Sequence, residues 1–189
     1  MSYDSLYQKG GFGYSSKLWL PRIQSLVDKH GIEGKILDAP AGDGFWSRLL
    51  RVATRQRQND LGTKVDCFVT PTDLSEVGCE KSGGNVWNLN EFNPEWEAKF
   101  DWVFSRGISH LHHAKIDDTP FVHMGKYAKN VIVIYSTTQT NRQSSSGCHF
   151  NHTRRSLDKA MRCLTSEPGT SWTSYMTEGY YHFVRQMED

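Results

Sequence analysis

Apolar positions along this chain change their spacing several times, and each change marks an element. Between Trp19 and His30, apolar residues recur at Leu20, Ile23, Leu26 and Val27, the spacing of one helical face. Pro21 suits the first turn of that helix, and Gly31 suits its end. A short apolar run ending in Ile36-Leu37-Asp38 reads as a buried strand. Helical spacing returns from Phe45 to about Gln56, with Leu49, Leu50 and Val52 turned inward, and the polar stretch 55–62 reads as a loop after it. Phe68 to Asp73 and Phe100 to Ile108 read as further strands. Asp117-Asp118-Thr119-Pro120 signals a helix that ends near Asn130, and the buried strand Val131–Ser136 follows at once. Asn151 to Leu164 can form another helix, with Asn151 as its cap and Leu157, Met161 and Leu164 on one face. Ser171 to Gln186 reads as two strands joined around Thr177-Glu178-Gly179. Strands alternating with helices and finishing in a hairpin are α/β architecture. Residues 1–16, rich in Tyr and Gly, suggest a mobile arm or lid.

The corner at residues 36–47 carries the chemistry. A strand ends in Asp38, the turn Gly42-Asp43-Gly44 follows, and a helix opens at Phe45. Ligands of α/β sheets bind outside the carboxyl ends of strands. Glycine lets the backbone turn sharply and approach a ligand, and a helix N-terminus offers free N–H groups. A dinucleotide fingerprint would need a third glycine at position 47, where Ser47 stands instead. A carboxylate four residues ahead of Gly42 would repel a pyrophosphate but suits a ligand carrying an ammonium or a sulfonium. The pattern Asp38-x-x-x-Gly42-x-Gly44 resembles the first motif of the class I S-adenosylmethionine-dependent methyltransferases.

Three later segments resemble the same family in the same order. Phe68 to Ser75 contains a strand ending in Asp73, where the family's acid accepts hydrogen bonds from the two ribose hydroxyls. Val86-Trp87-Asn88-Leu89-Asn90 resembles the third motif, with Asn88 in place of the usual acid beside the adenine. Phe100 to Ile108 resembles the fourth, a buried strand ending beside cofactor and substrate. The resemblance implies an α/β fold: a Rossmann-like, seven-stranded, mostly parallel sheet with helices on both faces and an antiparallel C-terminal hairpin. It implies S-adenosyl-L-methionine as cofactor, held by Asp38, Ala39, Pro40, Gly42, Gly44, Asp73, Leu74, Asn88, Leu89, Ser105 and Arg106. Trp46, directly after the glycine turn, is a further candidate to touch it. His110, at the offset where many family members carry a histidine, is either the base that deprotonates an acceptor or a scaffold of the cofactor loop.

Composition narrows the acceptor. A chain of 189 residues is one domain of ordinary size, and its net charge of +1 exerts no global pull on nucleic acid or anionic membrane. The arginines Arg48, Arg51, Arg55 and Arg57 read as a solvated helix face, and no N-P-P-Y follows the fourth strand. No apolar run approaches a membrane span, and no signal peptide is visible. The cysteines Cys67, Cys79, Cys148 and Cys163 show no framework spacing, as expected of free thiols in the cytoplasm. The spacing of Cys148, His149 and His152 matches no standard closed zinc pattern, so no metal is expected, and these residues with His112 and His113 read as polar cleft rim. The tryptophans are mostly expected in the core. Methyl transfer to a small molecule is the expected function. A lyase or cyclase acting on the same cofactor, or a non-catalytic cofactor-binding partner protein, are the alternatives. The sequence does not indicate an oligomeric state.

Overall fold

A computed structural model describes residues 3–11, 13–64, 66–108, 118–136 and 154–188. Successive side chains of a strand point to opposite faces, and the apolar runs of this chain divide accordingly. Ile36, Trp102, Phe104, Ile132, Ile134 and Val184 pack into one core cluster, while Leu37, Val103, Val131, Val133, Tyr135 and Phe183 pack into another. Both faces of the central strands are therefore buried, as parallel sheets require.

The strands are β1 (Lys35–Asp38), β2 (Phe68–Asp73), β3 (Asn85–Val86), β4 (Trp102–Arg106), β5 (Asn130–Ser136), β6 (Thr170–Thr177) and β7 (Tyr180–Met187). They form a seven-stranded sheet in the order β3-β2-β1-β4-β5-β7-β6. β1 to β5 pair in parallel, and β7 runs antiparallel to both β5 and β6. The mostly parallel sheet with an antiparallel C-terminal hairpin agrees with the expectation. Its hairpin turns through Glu178 and Gly179, with φ of 51° and 80°. Two positive φ values make the two-residue turn whose twist matches paired strands.

Helices cover both faces. They are α1 (Tyr3–Gln8), α2 (Ser16–His30), α3 (Phe45–Leu61), α4 (Glu76–Ser82), α5 (Thr119–Tyr127) and α6 (Arg154–Met161). Trp19, Ile23, Leu26 and Val27 of α2 and Leu49, Leu50 and Ala53 of α3 pack on the Ile36 face. Phe121, Met124 and Tyr127 of α5 pack on the opposite face with Leu157 and Met161 of α6 and Leu164 beyond it. The cap assigned to Asn151 lies outside the described residues.

Three local readings need correction. α3 runs to Leu61, so the polar stretch 55–62 adds helical turns where a loop was expected. Nothing between Phe45 and Leu61 breaks a helix, Gln56 Nε2 donates to Asp60 Oδ1 at 2.8 Å, and Gly62 ends the run at φ 66°. Val52 is exposed, because Leu49, Leu50 and Ala53 already fill the inward arc. α2 begins at Ser16, which puts Pro21 inside the helix and beyond its first turn.

Arg185 of β7 fastens the α5 face. It is 1% exposed. Its Nε donates to Lys129 O (2.9 Å), and Nη2 donates to Ala128 O (2.8 Å) and Gly125 O (3.2 Å). Its Nη1 lies 3.5 Å from Leu164 O. A fixed guanidinium fork thus satisfies carbonyls at the C-terminal end of α5, where the helix leaves them without partners and a cation is favoured. Arg185→Met keeps the volume but strips these carbonyls of their donor. We expect it to lower the unfolding free energy by about 3 kcal/mol in urea denaturation.

Candidate functional site

The chain leaves β1 for β2 on one side and later returns to β4 on the other, so the strand order reverses at β1. In open α/β sheets such a switch point, outside the carboxyl ends of the strands, is where ligands bind. Asp38 ends β1, and Ala39 N donates to Phe104 O of β4 at 3.0 Å. Gly42 and Gly44 have φ of 59° and 76°, and Gly44 N closes the turn on Ala41 O at 3.0 Å. Gly44 then caps α3 with a conformation that L side chains rarely adopt. A Cβ on Gly44 would also lie 2.7 Å from Ser82 Cβ.

A second acid is tied into the same turn. Asp73 ends β2, and its Oδ2 accepts from Gly42 N at 2.8 Å while Oδ1 accepts from Ser75 N at 3.0 Å. Each oxygen keeps a second lone pair. Asp38 is fully buried, and its Oδ2 accepts from Ser47 Oγ at 2.5 Å. Its Oδ1 has no hydrogen-bond partner among the described residues. Neither carboxylate forms an ion pair among the described residues. Burial pushes the Asp38 carboxyl up to about 7, against the pull of Ser47 and with the added push of Asp73. Burial also raises Asp73, and the backbone donors of Ser75 and Gly42 oppose it.

The other expected residues lie around this centre. Ala39 is buried and Pro40 half-buried on the turn, while Leu74 is 61% exposed directly after Asp73. Asn88 Oδ1 accepts from Asn90 N at 3.1 Å, so its amide oxygen serves its own turn. Leu89 is buried in the core, with its carbonyl 3.1 Å from His123 Nδ1. Ser105 and Arg106 end β4 and are both buried. Trp46 is only 4% exposed, under Tyr14, Trp19 and Phe45. His110, His112, His113, Cys148, His149 and His152 lie outside the described residues.

Sequence reasoning missed two contributors. Ser47 was noticed only as a missing glycine; it is in fact the hydroxyl that holds Asp38. The N-terminal segment, read as an arm, contains α1, which covers the glycine turn. Asp4 accepts from Ser75 Oγ, Lys81 Nζ donates to Tyr7 O, and a Cβ on Gly42 would lie 2.6 Å from Tyr7 Oη. Paired tyrosines in a glycine-rich stretch were the available signal.

No family model and no curated protein matches the sequence. Solved structures do match its fold. A 1,6-didemethyltoxoflavin-N1-methyltransferase of Burkholderia thailandensis, solved with bound 1,6-didemethyltoxoflavin and S-adenosylhomocysteine, aligns over 98% of this chain and 85% of its own, with a TM-score of 0.64 and 16% identity. A Thermotoga maritima S-adenosylmethionine-dependent methyltransferase, described as a possible histamine N-methyltransferase, aligns over 98% of both chains at a TM-score of 0.59 and 11% identity. The chain has the class I methyltransferase fold. DesVI of Streptomyces venezuelae shares it over 100% of this chain and 99% of its own, at a TM-score of 0.59 and 11% identity. The fold brings Asp38, Gly42 and Asp73 together at the switch point, where the motif resemblance would put the cofactor. The residues fit the cofactor: two buried acids without an ion-pair partner among the described residues, one carrying an unpaired oxygen, complement a cationic ligand with ribose hydroxyls.

The charge state of Asp38 is testable. Its folded pKa of about 7 lies above that of an unfolded carboxylate. From the ordinary carboxylate range up to that value, the folded chain holds a proton that the unfolded chain has lost. Stability is therefore lost as pH rises toward about 7. Asp38→Asn cannot ionise. Its unfolding free energy relative to wild type should rise by about 2 to 3 kcal/mol between about pH 5 and pH 8, read from urea curves at both values.

Proposed function

We propose that this protein is an S-adenosylmethionine-dependent methyltransferase acting on a small-molecule acceptor. One observation carries the reading: two buried carboxylates, Asp38 and Asp73, flank a glycine turn at the switch point and have no ion-pair partner among the described residues. Asp73 would receive the ribose hydroxyls on its remaining lone pairs. Asp38, oriented by Ser47, would face the cationic end of the ligand. Ala39, Pro40, Gly42 and Gly44 would supply close-approaching backbone. Leu74 offers exposed apolar cover for a base, with Asn88 and Leu89 bordering it on the β3 side. Ser105, Arg106 and Trp46 would close the end toward β4. When bound, S-adenosylmethionine supplies an electrophilic methyl group on a sulfonium sulfur.

The chain's own task is alignment and proton removal. Holding an acceptor in line is worth several kcal/mol of effective concentration. His110, just beyond Ile108, is our candidate base for a hydroxyl or amine acceptor, with imidazole titrating near neutral pH. A net charge of +1 supports a small acceptor over nucleic acid, and Cys67 and Cys79, which form no disulfide, accord with a reducing cytoplasm. No helix among the described residues is long and apolar enough to cross a membrane.

Calorimetry with S-adenosylhomocysteine tests the cofactor. Asp73→Ala should weaken binding by about 1.5 to 3 kcal/mol for each hydrogen bond lost to the charged acceptor, and tight binding of NAD in its place would refute the assignment. His110→Gln should bind like wild type yet turn over roughly 100-fold more slowly or worse. Near-normal turnover would remove His110 as the base. Chromatography of products distinguishes the classes: S-adenosylhomocysteine formed only with an acceptor marks a transferase, and methylthioadenosine formed without one marks a lyase.

A further inference from the structure

Arg106 is the last residue of β4 and only 6% exposed. A buried cation is ordinarily paired with an acid. Here aromatic rings surround it. Its Cζ lies 4.6 Å from the ring centroid of Trp46, 5.1 Å from those of Trp19 and Tyr180, and 5.3 Å from that of Tyr14. Nη1 donates to Tyr14 Oη at 3.3 Å, and the buried Nε has no hydrogen-bond partner among the described residues.

The neighbours of Arg106 supply no counter-charge. Burial raises the Tyr14 pKa, and Arg106 lowers it less, so the phenol stays neutral near pH 7. His182 lies two residues beyond Tyr180, on β7. Burial pushes it down to about 4, helped by His30, Lys29 and Arg106, so it is neutral as well. Glu178, beside Tyr180 in sequence, is paired with Arg22. Asp43 accepts from Phe45 N at 3.2 Å and makes no ion pair with Arg106.

Ring faces satisfy the charge of a guanidinium but not its N–H groups. Those donors lie in its plane, and the fork they form fits one oxygen pair. Arg106 also ends β4 at the carboxyl edge of the sheet. Asp38 is in register with Phe104, so Arg106 extends two residues beyond it on the neighbouring strand, with Cα atoms about 8 Å apart by strand geometry.

We propose that Arg106, in its cage of Tyr14, Trp19, Trp46 and Tyr180, is a receptor for a carboxylate of a ligand bound at the switch point. The proposal rests on the methyltransferase reading for the identity of that ligand. The methionine portion of the cofactor and an acidic acceptor present the same carboxylate, and the two sources separate by experiment.

Wild type and Arg106→Gln are titrated with S-adenosylhomocysteine, with methylthioadenosine, which keeps the nucleoside but has no carboxylate, and with acetate and benzoate after saturation with S-adenosylhomocysteine. If the cofactor's carboxylate sits on Arg106, the substitution weakens S-adenosylhomocysteine at least 10-fold and leaves methylthioadenosine unchanged. If an acceptor's carboxylate sits there, both nucleosides bind as before, and the substitution abolishes acetate and benzoate binding. In the intact wild-type protein, the Arg106 Nε–H resonance moves downfield when the carboxylate arrives and stays in place with benzamide, a readout that survives even if the variant folds poorly. Equal binding of every carboxylate by both proteins, or an Nε–H resonance that ignores them all, overturns the proposal. Failure of wild type to bind either nucleoside refutes the methyltransferase reading instead, and acetate and benzoate added to the free protein then decide the receptor alone.

Discussion

Much of this molecule is organised around a carboxylate that water cannot reach. Asp38 ends a strand buried on both faces, and its charge has no ion-pair partner among the described residues. Burial of this kind disfavours ionisation, which accounts for the raised pKa, against the pull of the Ser47 hydroxyl. The neighbouring acid is held differently. Asp73 spends one lone pair of each oxygen on backbone N–H groups, one of them from the glycine turn itself. β1, β2 and the turn are thereby locked together, and α3 starts where that lock leaves it.

Two buried arginines carry their charge in different ways. Arg185 points its donors at backbone carbonyls and closes the C-terminal end of α5. Arg106 presents its charge to ring faces and leaves its Nε–H without an acceptor among the described residues. The first arrangement satisfies the guanidinium within the fold. The second leaves a directional donor at the carboxyl edge of the sheet, on the strand beside Asp38.

The N-terminal residues cover the glycine turn. α1 lays Tyr7 against Gly42 and Gly78, where a side chain on either glycine would collide with it or with the turn. Tyr14 reaches Arg106, Trp19 and Trp46. A segment without helical or strand periodicity of its own thus takes its conformation from the surfaces it covers.

Local pattern settled a good deal on its own. The run Ile36-Leu37-Asp38 followed by Gly42 and Gly44 contains its strand, its turn and its helix start within twelve residues, because each depends on backbone preferences of neighbours in sequence. Alternation in Val131 to Tyr135 assigned side chains to opposite faces, and Glu178-Gly179 marked the hairpin. The length of α3 was also locally written, in a run with no Gly or Pro up to Gly62, although its polarity made it look like a loop. Tertiary structure alone decided the rest. Whether Val52 or Ala53 faced inward depended on the sheet beneath α3. The cage of Arg106 gathers residues 14, 19, 46 and 180 from an arm, two helices and a strand. Periodicity reports which face a residue turns inward, whereas the partner it meets there is set by how distant segments pack, and no local spacing encodes that.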